Sequence, residues 1–404
     1  MSDQTYNRPY RWVILVLAVL TFLMTFITRF AWPPLIPVIV PILNISMTEA
    51  GSYMTAFYIG YIITQIPAGL LGDRFGVRHI MAATLMLQAA ATFFLGSIDN
   101  FETGFALRVL SGLAGGCVYA ACFRALVQWF SPTQRGLAFG ALMSASPLGL
   151  FLANAAAPLL EEALSWRGVF RAVGVGAAII GGIVLTLMKE HPAPADASPS
   201  ADPKPGFFDG LKYVFSNRNI IFLAIGGFTL IWAQIGFYSW GNTYLKQELA
   251  FDLKTAGGIM SSLGLMGMAA APLSGFVAGK TGRGKLLLVL ANLMVIIGVL
   301  VFGRQTSAFR LLAMTSLIGI GLGTLNAVYS FAISTFSESS MSATVGGATN
   351  FILQLAGVFV PMVTGQAIDF GCSFGTVWWI IVAGPILALG CLALVGQPPP
   401  VKTD

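Results

Sequence analysis

The sequence predicts an all-α membrane protein: twelve transmembrane helices in two pseudo-symmetric six-helix bundles. Three observations carry that prediction. The 404 residues are 56% hydrophobic and only 9% charged, against roughly a quarter charged in soluble domains. The apolar runs are continuous for about 20 residues instead of alternating in tens, which selects spanning helices over a barrel. A charged, glycine-rich turn, Gly69-Leu70-Leu71-Gly72-Asp73-Arg74-Phe75-Gly76-Val77-Arg78-His79, recurs in worn form as Gly275-Phe276-Val277-Ala278-Gly279-Lys280-Thr281-Gly282-Arg283-Gly284-Lys285. One half is used twice.

Met1 to Tyr10 is polar, without a cleavable signal pattern, and the first apolar run is too long for a signal peptide. The first six spans are expected near Trp12–Leu43, Met47–Leu71, His79–Gly96, Phe101–Phe130, Gly136–Leu160 and Trp166–Met188. Ser46-Met47-Thr48-Glu49 reads as a capping box opening the second span. A Pro-, Ala- and Ser-rich stretch follows, His191 to Pro205, and an amphipathic helix is expected around Phe207–Phe215. The second six spans lie near Asn219–Leu245, Leu253–Ala278, Leu286–Gly303, Phe309–Phe336, Ser342–Ile368 and Gly375–Leu394. The chain thus divides into an N-terminal bundle (1–190), a linker (191–216) and a C-terminal bundle (217–404).

Lys and Arg set the orientation: thirteen fall on the side of the termini and linker and six on the other. Both termini and the linker are therefore expected in the cytoplasm, with the chain a multi-pass protein of the cell (inner) membrane. The net charge of +6 forms no basic block, which argues against a nucleic-acid partner. Cys117, Cys122, Cys372 and Cys391 lie in or beside apolar runs without metal spacing and read as buried structural thiols. No nucleophile–base pair, metal cluster or phosphate loop stands out, so neither an enzyme nor a metal or cofactor site is expected. The chain reads as a monomer in the bilayer.

Six spans, a linker and six more spans, with the turn after spans 2 and 8 repeated, form a transporter plan. The Gly69–Arg78 turn resembles the Gly-x-x-x-Asp-Arg-x-Gly-x-Arg signature of the major facilitator superfamily, and the length, repeat and linker agree with that fold. The resemblance implies that Asp73 and Arg74 fasten the two halves at the cytoplasmic face, with Asp73 facing the N-terminus of span 11. It makes Gly69, Gly76, Arg78 and, in the next turn, Arg135 gating candidates.

Three arginines fall inside predicted spans: Arg29, Arg108 and Arg124. Each costs roughly 2.5–3.5 kcal/mol at mid-bilayer on insertion scales and needs a reason. Arg29, followed by Pro37 eight positions on, resembles the first-helix arginine with which anion:cation symporters and organophosphate:phosphate antiporters bind their anionic substrate. Arg108 shares one helix face with Gly112, Gly115 and Tyr119. The stretch through Trp129, Pro132 and Arg135 is similar to the fourth helix of the anion:cation symporters, which implies a binding or gating role for Arg108. Snorkelling to the outer interface is its other reading. Many members place a glutamate where this chain has Gly115. Arg124 reads as a snorkelling or gate residue.

The seventh span is polar and aromatic (Trp232, Gln234, Tyr238, Trp240, Asn242, Thr243 and Tyr244), with Tyr238 its binding candidate, and Trp240–Leu245 partly resembles a symporter motif. Asn326, Tyr329, Asn350 and Gln354 offer neutral hydrogen bonds from the second half; each reads equally as glue between helices. No Asp or Glu sits mid-span. The expected cargo is a small, carboxylate-type organic anion, moved by alternating access as proton symport or in exchange for a counter-anion. The alternative is an exporter of drugs or a neutral metabolite with structural arginines.

Overall fold

The computed structural model describes residues 9–65, 67–68, 75–131, 133–190, 207–337 and 342–396. Gly69, Asp73 and Arg74 lie outside the described residues. The N-terminal half comprises α1 (Arg11–Phe30), α2 (Ile36–Leu43), α3 (Met47–Gln65), α4 (Val77–Leu95), α5 (Phe101–Trp129) and α6 (Arg135–Leu187). A short helix, α7 (Phe207–Ser216), precedes α8 (Arg218–Gln247), α9 (Leu253–Thr281), α10 (Gly284–Phe302), α11 (Ala308–Phe336), α12 (Ser342–Asp369) and α13 (Phe374–Leu394).

These elements make the twelve spans. Pro33 and Pro34 interrupt the first span with a single 3₁₀ turn between α1 and α2, because proline withholds the amide that an α-helix needs. The 53-residue α6 is two spans that meet at Ser165, whose φ of 59° leaves the helical region one residue before Trp166. The capping box forms as expected: Glu49 N donates to Ser46 Oγ at 3.1 Å, and Ser46 N to Glu49 Oε2 at 2.8 Å. α7 matches the amphipathic helix, with Val214 buried and Phe208 and Phe215 exposed. Three cysteines are buried; Cys372 is exposed, since it lies in the turn after α12 and not in the span.

The duplication runs deeper than the repeated turn. Helix starts recur at an offset of 207: Arg11 and Arg218, Val77 and Gly284, Phe101 and Ala308, Arg135 and Ser342. So do close glycine contacts between helices of one half. A Cβ on Gly60, Gly112 or Gly116 would come within 2.0–2.4 Å of backbone oxygen on the facing helix, which locks α3 against α5. Gly267, Gly319 and Gly323, each 207 residues on, lock α9 against α11. With no side chain in the way, the backbones approach closely and dispersion replaces the missing hydrophobic drive between helices in lipid.

The halves meet on the side away from the termini. Thr55 Oγ1 donates to Val358 O at 2.7 Å, Asn242 Nδ2 to Asn154 Oδ1 at 2.8 Å, and Asp369 accepts the amides of Met47 and Thr48. Gly51 lies under Pro361, Gly257 under Asn154 and Gly264 under Pro147. Toward the termini the halves part: Gly136 and Gly140 of α6 and Gly346 and Gly347 of α12 have open space beside them.

Candidate functional site

The α3–α5 lock places a set of aromatic rings behind the cleft. Phe57, Tyr58 and Tyr61 ride on the α3 face that the glycines of α5 pull inward. Into that set α1 projects Arg29, one residue before the helix ends and the proline break begins. Its guanidinium carbon lies 4.6 Å from the ring centre of Phe57, 4.7 Å from Tyr61, 4.8 Å from Phe26 and 5.3 Å from Tyr58. Ring faces attract a cation, but they neutralise no charge. Arg29 is 4% exposed, and its Nε has no hydrogen-bond partner. Among the described residues no carboxylate pairs with it.

Arg108 sits behind Arg29, not beside it in the cleft. It is 2% exposed; its Nε donates to Tyr53 O at 3.0 Å, Nη1 to Thr28 O at 3.2 Å, and Nη2 to Arg29 O and Met54 Sδ, both at 3.2 Å. The snorkelling reading fails, because the side chain turns into the bundle. The guanidinium satisfies the carbonyls at the end of α1, which the proline break leaves without intrahelical partners, and so fixes the backbone that carries Arg29. Arg124 lies 16 residues further along α5, about 24 Å away. Tyr119 is 40% exposed, within electrostatic reach of Tyr61, and lines the open side of the N-terminal half.

Across the interface, Tyr238 of α8 packs edge-on against Phe30, 5.6 Å between ring centres, and lies within electrostatic reach of Tyr58. Gln234 Nε2 donates to the Tyr238 hydroxyl at 3.1 Å, and Asn326 Nδ2 to Gln234 Oε1 at 3.3 Å. These three form a neutral relay that ends at the exposed Asn326. On α12, Gln354 and Asn350 continue the face that carries Gly357, which seats the Tyr58 ring, into the region where the halves have parted. Both are half-buried.

Other candidates lie elsewhere. Tyr329 is 1% exposed, with its ring against Gly226, inside the C-terminal half and away from the cleft. Arg78 donates from Nε to Leu185 O at 2.7 Å, and its amide reaches Glu190 Oε1 at 2.9 Å, within the N-terminal half. Gly76, at φ 77°, supplies the left-handed turn before α4. Arg135 caps α5 through Phe130 O and Val127 O, at 3.1 and 2.9 Å. The described gating candidates therefore brace one half instead of bridging two. Sequence reasoning missed the ring set of Phe26, Phe57, Tyr58 and Tyr61. Its signal is the aromatic spacing of Phe57, Tyr58 and Tyr61 in a span otherwise rich in small residues.

A family model described as the Major Facilitator Superfamily matches residues 15–361. A protein of Bacillus subtilis (strain 168) described as a probable galactarate/D-glucarate transporter, GudP, is 25% identical over 393 residues, 89% of this chain and 86% of that one. A hexuronate transporter of the same organism is 24% identical over 95% of this chain and 93% of its own. The fold is shared with a bacterial homologue of the human lysosomal transporter Spinster, solved in an inward-facing, unoccupied conformation. Its TM-score is 0.77 at 16% identity, covering 96% of this chain and 95% of that chain.

Proposed function

Because this chain belongs to the Major Facilitator Superfamily, we propose that it is a secondary transporter of a small organic anion, working by alternating access. The observation that carries the reading is Arg29: a buried, permanently charged guanidinium with an unpartnered Nε and no acid beside it, at the junction of the two halves. Such a charge is costly in a low dielectric unless a counter-ion arrives. A carboxylate bound to the guanidinium fork supplies that counter-ion in paired, charge-assisted hydrogen bonds. The relatives' sugar-acid substrates support the same class.

Tyr119, Tyr238, Asn326, Asn350 and Gln354 line the path to the site, and Arg108 positions it. The chain works as a monomer in the cell membrane with both termini cytoplasmic, so the described state is inward-open. Coupling is proton symport or anion exchange. The absence of an acid within the spans favours exchange, since the arginine then alternates between two anions. Asp73 and Arg74 close the cytoplasmic face in the opposite state.

The test is uptake of D-glucuronate and D-gluconate into proteoliposomes. Wild-type protein should transport at least one of them, and Arg29→Gln should abolish uptake while the purified protein elutes unchanged from gel filtration. Unimpaired uptake by Arg29→Gln would overturn the assignment.

A further inference from the structure

We infer that the C-terminal half carries a binding site for an anionic phospholipid, its head on Lys280, Arg283 and Lys285 and an acyl segment in the cavity beside them. The site shares no residue with the anion site at Arg29 and stands or falls without it.

The cavity lies among the ends of α8, α9, α10, α11 and α13 on the side of the termini. Its volume is about 150 Å³, and its walls are apolar: Leu223, Leu288, Phe331, Phe336, Leu392 and Val395. It runs from Phe336, the last residue of α11, to Phe331, five residues or about 8 Å of helix deeper. A void of this size walled by leucine and phenylalanine stays dry and accepts apolar groups. At the turn between α9 and α10 the lining is glycine. Beside Gly279 and Gly282 no atom lies within 4 Å of where a Cβ would sit, so the turn leaves that side open.

The internal repeat shows that the void belongs to one half. At the 207-residue offset, Phe336 stands for Trp129, Val395 for Met188, Gly284 for Val77 and Gly396 for Lys189, each smaller than its counterpart. In the N-terminal half the same place is filled. Tyr10 packs on Trp129, 5.9 Å between ring centres, and Lys189 Nζ stands 4.2 Å from the Tyr10 ring centre. Trp129, Met188 and Val77 are each at most 5% exposed. The counterpart of Tyr10 is Asn217, whose side chain turns to the amides of Asn219 and Ile220 as a helix cap. One half thus fills with its own ring and ammonium a space that the other leaves hollow. Close-packed interiors keep few such voids.

The charge beside the cavity says what enters it. Lys280, Arg283 and Lys285 fall within six residues and are all exposed. Among the described residues no carboxylate pairs with any of them. Lys285 Nζ gives one hydrogen to Val395 O at 2.8 Å, at the cavity wall, and keeps two more to give. Lys280 Nζ stands 5.8 Å from the ring centre of Phe276, which is 65% exposed. An apolar cleft between helix ends under a cluster of cations matches a lipid at headgroup depth. Lysine and arginine both hold phosphate oxygens. A choline head brings its own cation beside its phosphate, so three cations favour a lipid of net negative charge.

The experiment takes the full chain, purified and delipidated in detergent, and titrates it with dioleoylphosphatidylglycerol or dioleoylphosphatidylcholine, counting bound lipids by native mass spectrometry. Wild-type protein should take up its first phosphatidylglycerol at a concentration ~tenfold or more below that for phosphatidylcholine. The double variant Lys280→Gln, Arg283→Gln changes exposed side chains only and should lose that preference while eluting unchanged from gel filtration. Phe336→Trp with Val395→Met gives the cavity the residues of the other half and should abolish the tight first step with all three cations in place. Equal uptake of the two lipids by wild type, or a tight first step that survives in the charge variant, would overturn the site. The same step surviving in a correctly folded filled variant would place the lipid outside the cavity and overturn it too. Oleate that binds more tightly than phosphatidylglycerol would overturn the phospholipid in favour of a free fatty acid.

Discussion

Asp369 caps Thr48 across the junction of the two halves: its Oδ2 accepts the Thr48 amide at 2.7 Å and also the Thr48 hydroxyl, while Oδ1 accepts the Met47 amide at 2.9 Å. A helix leaves its first amides without partners. At α3 the Glu49 amide goes to Ser46 within the chain's own capping box. The Met47 and Thr48 amides go to a carboxylate 322 and 321 residues away. A negative charge at a helix N-terminus also meets the positive end of the dipole. Separating the halves on this side breaks all three bonds together.

Asp369→Ala should therefore weaken closure of the far side by about 1–2 kcal/mol, roughly 5- to 30-fold in the ratio of states. Ser239, fully buried in α8, reports on it: in a Cys372→Ser background, Ser239→Cys should react faster with an impermeant maleimide when Asp369 is Ala. Asp369→Glu should recover part of the protection. Equal labelling rates with and without the carboxylate would show that the cap does not hold the gate.

The two buried arginines should separate in stability. Arg108→Met removes the partner of three buried carbonyls and should lower the thermal midpoint by several degrees, since orphaning buried polar groups costs about 1–3 kcal/mol each. Arg29→Leu removes an unpaired charge and should unfold no earlier than wild type, even though it no longer transports. Functional residues held at a cost to stability behave this way. A large drop for Arg29→Leu with none for Arg108→Met would reverse the two roles.

How much of this was legible in the sequence follows from what each feature depends on. Hydropathy and breakers are local, so the spans, the break before Trp166 and the capping box of Ser46 and Glu49 were all readable. Helical periodicity placed Arg108 on a face with Gly112 and Tyr119, but a face does not name its neighbour. The backbone of Phe57 fills the space at Gly112, which draws Arg108 inward, whereas Tyr119, two turns on, reaches the opening between the halves. Tyr329 was misplaced for the same reason: only packing shows that its face meets Gly226. The cap by Asp369 had no local signal, because its partners lie in the other half. The glycine triads at the 207 offset are legible as small residues at a fixed spacing, but only packing shows that α3 faces α5 and α9 faces α11 across them.

Closure of the far side also depends on close backbone approach. A Cβ at Gly264 would stand 2.4 Å from Pro147 O and 2.7 Å from Phe151 N. Gly264→Val should force α9 from α6 and raise Ser239→Cys labelling, as the loss of Asp369 does. Gly140→Val, on the parted part of α6 with open space around it, should leave far-side labelling near wild type. If both variants labelled alike, the difference in packing along α6 would have no bearing on the gate.

The last prediction concerns coupling. All 16 acidic residues fall in turns, termini, the linker or near span ends, and both histidines, His79 and His191, lie outside the span interiors. Among the described residues the site holds no carboxylate or histidine to exchange a proton between about pH 6 and 8. A sugar acid with a carboxyl pKa near 4 is ionised throughout that range. Exchange of internal for external anion should then vary less than about twofold across it, with the gain from internal substrate far larger than the gain from an imposed pH gradient. An empty carrier returning with Arg29 unpaired carries the cost that a bound anion removes, and that is why internal anion should accelerate the cycle. Accumulation driven by a pH gradient, with no response to internal anion, would mean that a proton is carried by a group outside this site, and exchange would be abandoned for symport.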